Sequence, residues 1–189
     1  MFYGEKRRFA LLWPVSGRTE DCVRTGQRRC FDESGAEIPC RGTGQDGDFC
    51  IGRPWPEPSY RVAGEESLDP LTGLCWKSDA DLCDGPASWA EALEAVRSLN
   101  SSTGTRDSWR LPNINELESL VDCGHHSPAL PSQHPFRRVG EEYWSSTTSV
   151  FEPDWAWALY LAKGAIGVGQ KGGRHFRVWP VKDAASLPG

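Results

Sequence analysis

From Tyr143 onward the apolar residues of this 189-residue chain abandon helical spacing and alternate: Trp155, Trp157, Leu159 and Leu161 interleave with Ala156, Ala158, Tyr160 and Ala162. A period of two sends successive side chains to opposite faces of a strand, so this part of the chain is committed to sheet. Strands are expected over Tyr143–Thr147, from Trp155, over Ala165–Val168 and over His175–Val181. Lys163-Gly164 and the stretch Gln170–Gly173 supply tight turns between them, which makes the sheet an antiparallel meander. Pro180 lacks an N–H, so the last strand lies at an edge or ends there.

The preceding segment has the other period. Trp89, Leu93, Val96 and Leu99 share one face of a helix expected over Ser88–Asn100. Ser88 with Glu91 three residues later forms a capping box. A second helix is expected over Ile114–Val121, capped by Asn113 with Glu116, its stripe being Leu117, Leu120 and Val121. A short strand, Leu71–Trp76, is expected after the Asp69-Pro70 turn. Helices followed by a meander make an α+β domain. Twenty Gly and fourteen Pro favour turns and short strands over a helical bundle.

Seven cysteines are many for a reduced compartment, and none has CxxC spacing, which argues against a zinc ribbon or a thioredoxin-type site. Four of them, Cys22, Cys30, Cys40 and Cys50, fall where large apolar residues are few. Disulfides would staple that stretch by reducing the entropy of the open chain, so the protein reads as exported. Cys30 and Cys40 flank the turn Asp32-Glu33-Ser34-Gly35, which favours their pairing. Cys22 with Cys50 is a plausible outer pair. Cys75 with Cys83 leaves Cys123 odd, and Cys83 with Cys123 is the alternative.

The organisation expected is a leader or arm over residues 1–24, a Gly/Pro/Cys-rich extension over 25–59, a domain over 60–183 and a tail over 184–189. In the leader, Lys6, Arg7 and Arg8 precede the apolar run Phe9–Val15, a pattern compatible with a truncated export signal. No apolar run is long enough for a transmembrane helix.

The net charge of −5 demotes nucleic acid as a partner. Residues 31–135 hold 7 Lys/Arg against 18 Asp/Glu, a balance of −11, whereas 136–182 hold 7 against 4, a balance of +3. An anionic ligand therefore favours the C-terminal part. The candidate ligand-binding residues there are Trp155, Tyr160, Lys171, Arg174, His175 and Arg177, with Lys163 beside them: aromatics suited to sugar faces and basic groups suited to sulfates. A solvated sheet face explains the same residues without a ligand.

Other motifs point more weakly to chemistry. Asp79, Asp81 and Asp84-Gly85 resemble the start of a calcium loop, although the closing Glu of an EF-hand would fall at Ala90. With Asp46-Gly47-Asp48 they are the candidates for a structural calcium; no other cofactor is expected. Cys123, His125, His126 and His134 fit no standard zinc spacing. Glu152-Pro153-Asp154 mixes two calcium-and-sugar tripeptides of C-type lectins, but a plain turn explains it better. There is no Gly-rich phosphate loop and no Gly-x-Ser-x-Gly elbow. No catalytic residue is assigned. A formylglycine-generating-type oxidase would need a reactive Cys pair near the C-terminus, and no Cys lies beyond Cys123.

Six phrases occur in a distinctive order: Thr25-Gly26-Gln27 with Cys30; Gly42-Thr43-Gly44-Gln45-Asp46-Gly47-Asp48; Asp69-Pro70-Leu71-Thr72-Gly73-Leu74 ahead of Trp76; Trp109-Arg110-Leu111-Pro112-Asn113 with Asn115-Glu116-Leu117; Tyr143-Trp144-Ser145-Ser146-Thr147; and Val178-Trp179-Pro180-Val181. Over about residues 25–182 the chain resembles the bacterial exported domains typified by the C-terminal domain of the collagen-like adhesin, Lcl. The resemblance implies a C-type-lectin-like fold, two helices on a small twisted antiparallel sheet with long loops. It also implies a periplasmic, surface or extracellular location and no established catalytic activity. Some members act in adhesion and bind sulfated glycans. Cys75 stands where an apolar Met is common, and the Asn/Tyr-rich final strands of many members are missing here.

The expectation is thus an exported, noncatalytic binding or adhesion module that recognises a glycan, sulfated or not, or a protein ligand through the C-terminal sheet and loops. The competing expectation is a structural subunit of a bacterial surface or envelope assembly, with self-assembly or an envelope partner.

Overall fold

A computed structural model describes residues 22–57, 59–103 and 109–184. Of the leader expected over 1–24, residues 1–21 lie outside the described residues, as do residues 185–189 of the tail expected over 184–189. The chain divides into two compact units at the Trp55–Pro56 bond.

The N-terminal unit is built by side chains that replace a core. A two-residue antiparallel pair, β1 (Cys30–Phe31) and β2 (Glu37–Ile38), closes over Asp32, whose Oδ1 accepts from the Ser34 and Ala36 amides at 2.9 Å each. The expected Cys30–Cys40 disulfide forms across this hairpin, with Cα atoms 5.1 Å apart. A single-turn helix, α1 (Asp46–Phe49), packs beside it. Gln45 holds the Phe31 backbone from both sides: its Oε1 accepts from the Phe31 amide at 3.1 Å and its Nε2 donates to the Phe31 carbonyl at 2.9 Å. Asp48 Oδ2 accepts from the amides of Gly42 and Gly44. Gly47 has no room for a side chain, because a Cβ there would stand 3.0 Å from Cys30 Sγ and from the Arg29 carbonyl. The Gly42–Asp48 phrase is therefore a brace for the hairpin.

The second unit contains two antiparallel sheets, not one. The first has the order β3 (Arg61–Ala63), β4 (Glu66–Asp69), β5 (Leu74–Lys77), β9 (Val181–Asp183); the second is the meander β6 (Glu142–Thr148), β7 (Trp155–Tyr160), β8 (Ala165–Gln170). The meander matches the alternating pattern, with Trp155 opposite Gln170 and Tyr160 opposite Ala165. The last strand does not extend it. Residues 175–180 cross between the sheets, with Phe176 bridging to Ala87 in the loop ahead of α2 and Arg177 to Tyr143 of β6, before β9 pairs with β5. Pro180 has no amide to offer a ladder, which ends regular pairing where the chain changes sheet. The strand expected over Leu71–Trp76 begins only at Leu74, because Asp69 folds the segment before it into a turn, accepting from the Leu71 amide and the Thr72 hydroxyl.

Both capping boxes form. The Ser88 amide donates to Glu91 Oε2 at 2.8 Å ahead of α2 (Trp89–Thr103). Asn113 and Glu116 cap each other's backbone at α3 (Ile114–Glu118), which is one turn shorter than expected. Two apolar clusters result. One gathers Trp76, Trp179, Tyr143, Phe136, Leu117 and Leu159; the other gathers Trp109, Trp144, Phe176, Val178, Ala92 and Val96. Ala156 and Ala158 belong to the second cluster, so the small residues of β7 face α2.

Candidate functional site

The loops at one end of the meander collect most of the expected ligand-binding residues. Trp155 starts β7 opposite Gln170, the end of β8, and the Lys171 amide donates to the Asp154 carbonyl at 2.9 Å. The Lys171 carbonyl then accepts from the Trp89 amide at 3.0 Å, which brings the start of α2 to the same place. Glu152-Pro153-Asp154 is a plain turn, in which the Trp155 amide donates to the Glu152 carbonyl at 2.9 Å.

Lys171 is a bracket at this end. Its Nζ donates to Thr148 Oγ1 and to the Pro153 carbonyl, each at 2.9 Å, and lies 4.3 Å from the centroid of the Trp89 ring. Trp89 is itself fixed through Nε1, which donates to the Ser145 carbonyl at 2.8 Å. Arg174 behaves differently. It is 66% exposed and reaches Glu91 at 3.3 Å. An exposed ion pair of this kind contributes little and is readily exchanged for another anion. His175 is exposed, its ring lying over Gly173.

Two of the expected residues belong elsewhere. Tyr160 is half-buried, with its ring edge-on to Phe176 and over Gly167, and its hydroxyl donates to the Val168 carbonyl at 3.1 Å. Arg177 is consumed by an ion pair with the buried carboxylate of Asp81. Trp155 is half-buried, whereas Trp157, on the same face of β7, is 38% exposed. The exposed aromatic of this sheet is thus Trp157.

The calcium expectation is corrected. Asp79 accepts from Arg138 Nε and Nη2 at 2.7–3.0 Å, Asp84 accepts from Arg138 Nη1, and Asp81 accepts from Arg177. Two guanidiniums engage all three carboxylates and leave a net charge of only −1 in the group. Burial pushes the Asp79 carboxyl up, but the Arg138 and Asp81 hydrogen bonds outweigh it and hold it below its ordinary value. Among the described residues no group of three or more His, Cys, Asp or Glu side chains is arranged to hold a metal ion. The zinc candidates are dispersed: His125 Nδ1 faces Asp122 Oδ2 at 3.0 Å, and His134 stacks on Phe136.

The further disulfides are corrected too. Cys22 and Cys50 remain thiols, since Cys50 Sγ turns back toward the Gly47 carbonyl at 3.5 Å. Cys75 and Cys83 also remain thiols. Cys75 donates to Glu66 Oε2 at 3.4 Å on the neighbouring strand. Burial, then Glu66, pushes the Cys75 thiol up to about 11. The phrase from Trp109 to Asn113 is structural: Arg110 makes a two-pronged pair with Glu116 at 2.6 and 2.8 Å, and Trp109 is buried beneath Lys77 and Lys182.

Sequence reasoning missed the most exposed feature of this end. Val150 and Phe151, each 92% exposed, form the tip of the β6–β7 loop. Two large apolar residues directly ahead of a Glu-Pro-Asp turn were the available signal. No helix among the described residues is long and apolar enough to cross a membrane. The family model described as the Lcl C-terminal domain matches residues 66–182, which run from the start of β4 into β9 and include the meander, α2 and α3 but not β3. No curated protein matches the chain.

Proposed function

The chain belongs to the Lcl C-terminal domain family, and on that premise we propose that it is an exported, noncatalytic binding module that recognises a sulfated glycan through the loop end of its meander. We read the two sheets with α2 and α3 as a C-type-lectin-like arrangement, in which long loops carry recognition and the paired helices and sheets carry stability. The observation that carries the ligand reading is Arg174, a guanidinium held only by an exposed carboxylate among the described residues; Trp157 is the exposed aromatic of the same meander. An indole face suits the C–H face of a sugar, and a guanidinium offers a sulfate two parallel N–H donors. Exchanging Glu91 for a sulfate costs Arg174 little.

The noncatalytic reading is supported by how the reactive side chains are held. The Cys75 thiol is kept protonated by burial and Glu66, and the half-buried His134 stacks on Phe136.

Immobilised heparin and its desulfated form test the proposal. The wild-type protein should be retained on heparin and elute with salt, and desulfation should abolish retention. Arg174→Ala and Trp157→Ala should each weaken retention by about tenfold, the size expected for one charge-assisted contact or one stacked ring. Equal behaviour of wild type and both variants, or no retention at all on any sulfated polysaccharide, overturns the reading.

A further inference from the structure

The two partners of the Arg174–Glu91 pair are held differently. Residues 171–176 are tied to the start of α2 at both ends: the Trp89 amide donates to the Lys171 carbonyl at 3.0 Å and the Ala87 amide to the Phe176 carbonyl at 2.9 Å. The loop that carries Arg174 is therefore fixed beside Ser88 and Glu91. The Arg174 side chain is exposed and meets Glu91 Oε1 through Nη2 at 3.3 Å. Glu91 has less freedom. Its other oxygen, Oε2, accepts from the Ser88 amide and from the Ser88 hydroxyl, each at 2.8 Å, as one half of the capping box. One oxygen of this carboxylate caps α2 while the other faces a guanidinium.

Arg174 loses little when another anion takes it, but Glu91 does not leave. Turning the carboxylate out would strip Ser88 of its acceptor and uncap the helix. Glu91 stays, and its charge stands beside whatever Arg174 binds. Two like charges about 6 Å apart in water oppose each other by a factor of about three in affinity. A glycan carboxylate offers the guanidinium only what Glu91 already offers. It also arrives from dilute solution, against a tethered rival whose local concentration is on the order of millimolar or more. A densely sulfated chain brings several anions along one polymer, so contacts beyond Arg174 offset the repulsion.

We propose that Glu91 is a specificity-determining residue of the sulfated-glycan site: a tethered competitor for Arg174 that turns away glycans whose only anion is a carboxylate and admits densely sulfated ones. This role rests on the glycan reading and adds to it the repulsive element that discrimination between related ligands requires.

Glu91→Gln tests it, because Gln at this position still accepts from the Ser88 amide and keeps the cap while losing the charge. Its circular dichroism and melting should match wild type. Titration calorimetry with soluble heparin and with hyaluronan, whose only anion is a carboxylate, supplies the readout. Glu91→Gln should bind heparin about threefold more tightly than wild type. Wild type should not bind hyaluronan, and Glu91→Gln should. Glu94→Gln removes an exposed carboxylate that pairs with Arg97 on the same helix, and it should behave as wild type with both polymers. Adding Arg174→Ala to Glu91→Gln should abolish the gain. A Glu91→Gln variant that is no tighter on heparin, that still ignores hyaluronan, or that keeps its gain without Arg174 overturns the role of Glu91 and leaves the glycan reading standing. So does an equal gain in Glu94→Gln, which would make the effect one of net charge, or hyaluronan binding by wild type equal to that of Glu91→Gln. No heparin binding by any of the four proteins overturns the glycan reading and the role of Glu91 together.

Discussion

Arg177 donates through Nη1 to Oδ2 of Asp81, a carboxylate whose side chain is 5% exposed and which lies 96 positions earlier in the chain. The pair joins the segment that crosses between the two sheets to the loop after β5. Asp81 also accepts from the Gly85 amide at 3.0 Å, and its own carbonyl accepts from Arg138.

Removing the arginine strands a buried carboxylate. Arg177→Ala should destabilise the second unit by about 2–3 kcal/mol, below the largest values for such pairs because the guanidinium is a third exposed. The double variant Arg177→Met with Asp81→Asn removes both charges and should recover more than half of that loss. Urea denaturation of the three proteins measures it. A double variant no more stable than Arg177→Ala would show that the ion pair is not what holds the crossing segment.

The face of β7 and β8 that packs on the second cluster is made of small residues for a steric reason. A Cβ on Gly169 would stand 2.2 Å from Phe176 Cε2 and 2.9 Å from Trp144 Cη2, and both rings are buried. Gly169→Ala should therefore cost about 2–3 kcal/mol through overpacking. Phe176→Leu in the same chain should restore part of it, while either change alone is destabilising. The denaturation midpoint should move with no change in its slope.

What could be read from the sequence was local. Ser88 with Glu91 and Asn113 with Glu116 are three residues apart, and both capping boxes form where the residues stand. Cys30 and Cys40 were legible because a turn separates them. The β3–β4 hairpin left no such mark: Arg61, Val62 and Ala63 are all exposed, so there is no alternation to find. β9 pairs with β5 across more than a hundred residues, a choice set by how the two clusters pack and not by any neighbouring residue. At the candidate site, alternation placed Trp155 and Trp157 on one face, but alternation fixes only the face and not which of the two is exposed. Arg177 and the calcium candidates looked like surface chemistry, because nothing nearby in sequence announces that Arg177 and Arg138 pair with the three aspartates.

His134 supplies a pH dependence whose sign follows from its surroundings. Its ring stacks on Phe136 at 5.9 Å, and burial lowers its pKa below the ordinary 6.5. In the unfolded chain the imidazole takes up a proton near pH 6.5, whereas in the folded protein it does so only at lower pH. Between those two values the unfolded state binds more protons, so stability is full above about pH 6.5 and is lost as pH falls through the window. Thermal melts from pH 7.5 to 5 should therefore fall more steeply for wild type than for His134→Gln. Parallel curves would show that His134 does not contribute the slope.

Lys171 should govern the order of the β6–β7 loop more than the stability of the sheet. Its ammonium makes two hydrogen bonds, to Thr148 and to Pro153, and lies on the Trp89 ring, so one group ties both sides of the loop to the start of α2. Lys171→Met keeps the aliphatic stem against Trp89 but removes both donors and the charge. The expected loss is about 1–2 kcal/mol, the sum of two hydrogen bonds and a half-desolvated cation–π contact after competition with water. It should be felt locally. Amide exchange at Ser149 and Trp155, which close the loop, should accelerate about tenfold by the conversion of 1.4 kcal/mol into an opening equilibrium. The amides that pair β7 with β8 beyond Trp157 should be unchanged. Acceleration spread evenly over the meander would instead make Lys171 a general stabiliser of the sheet and leave the loop tip without its brace.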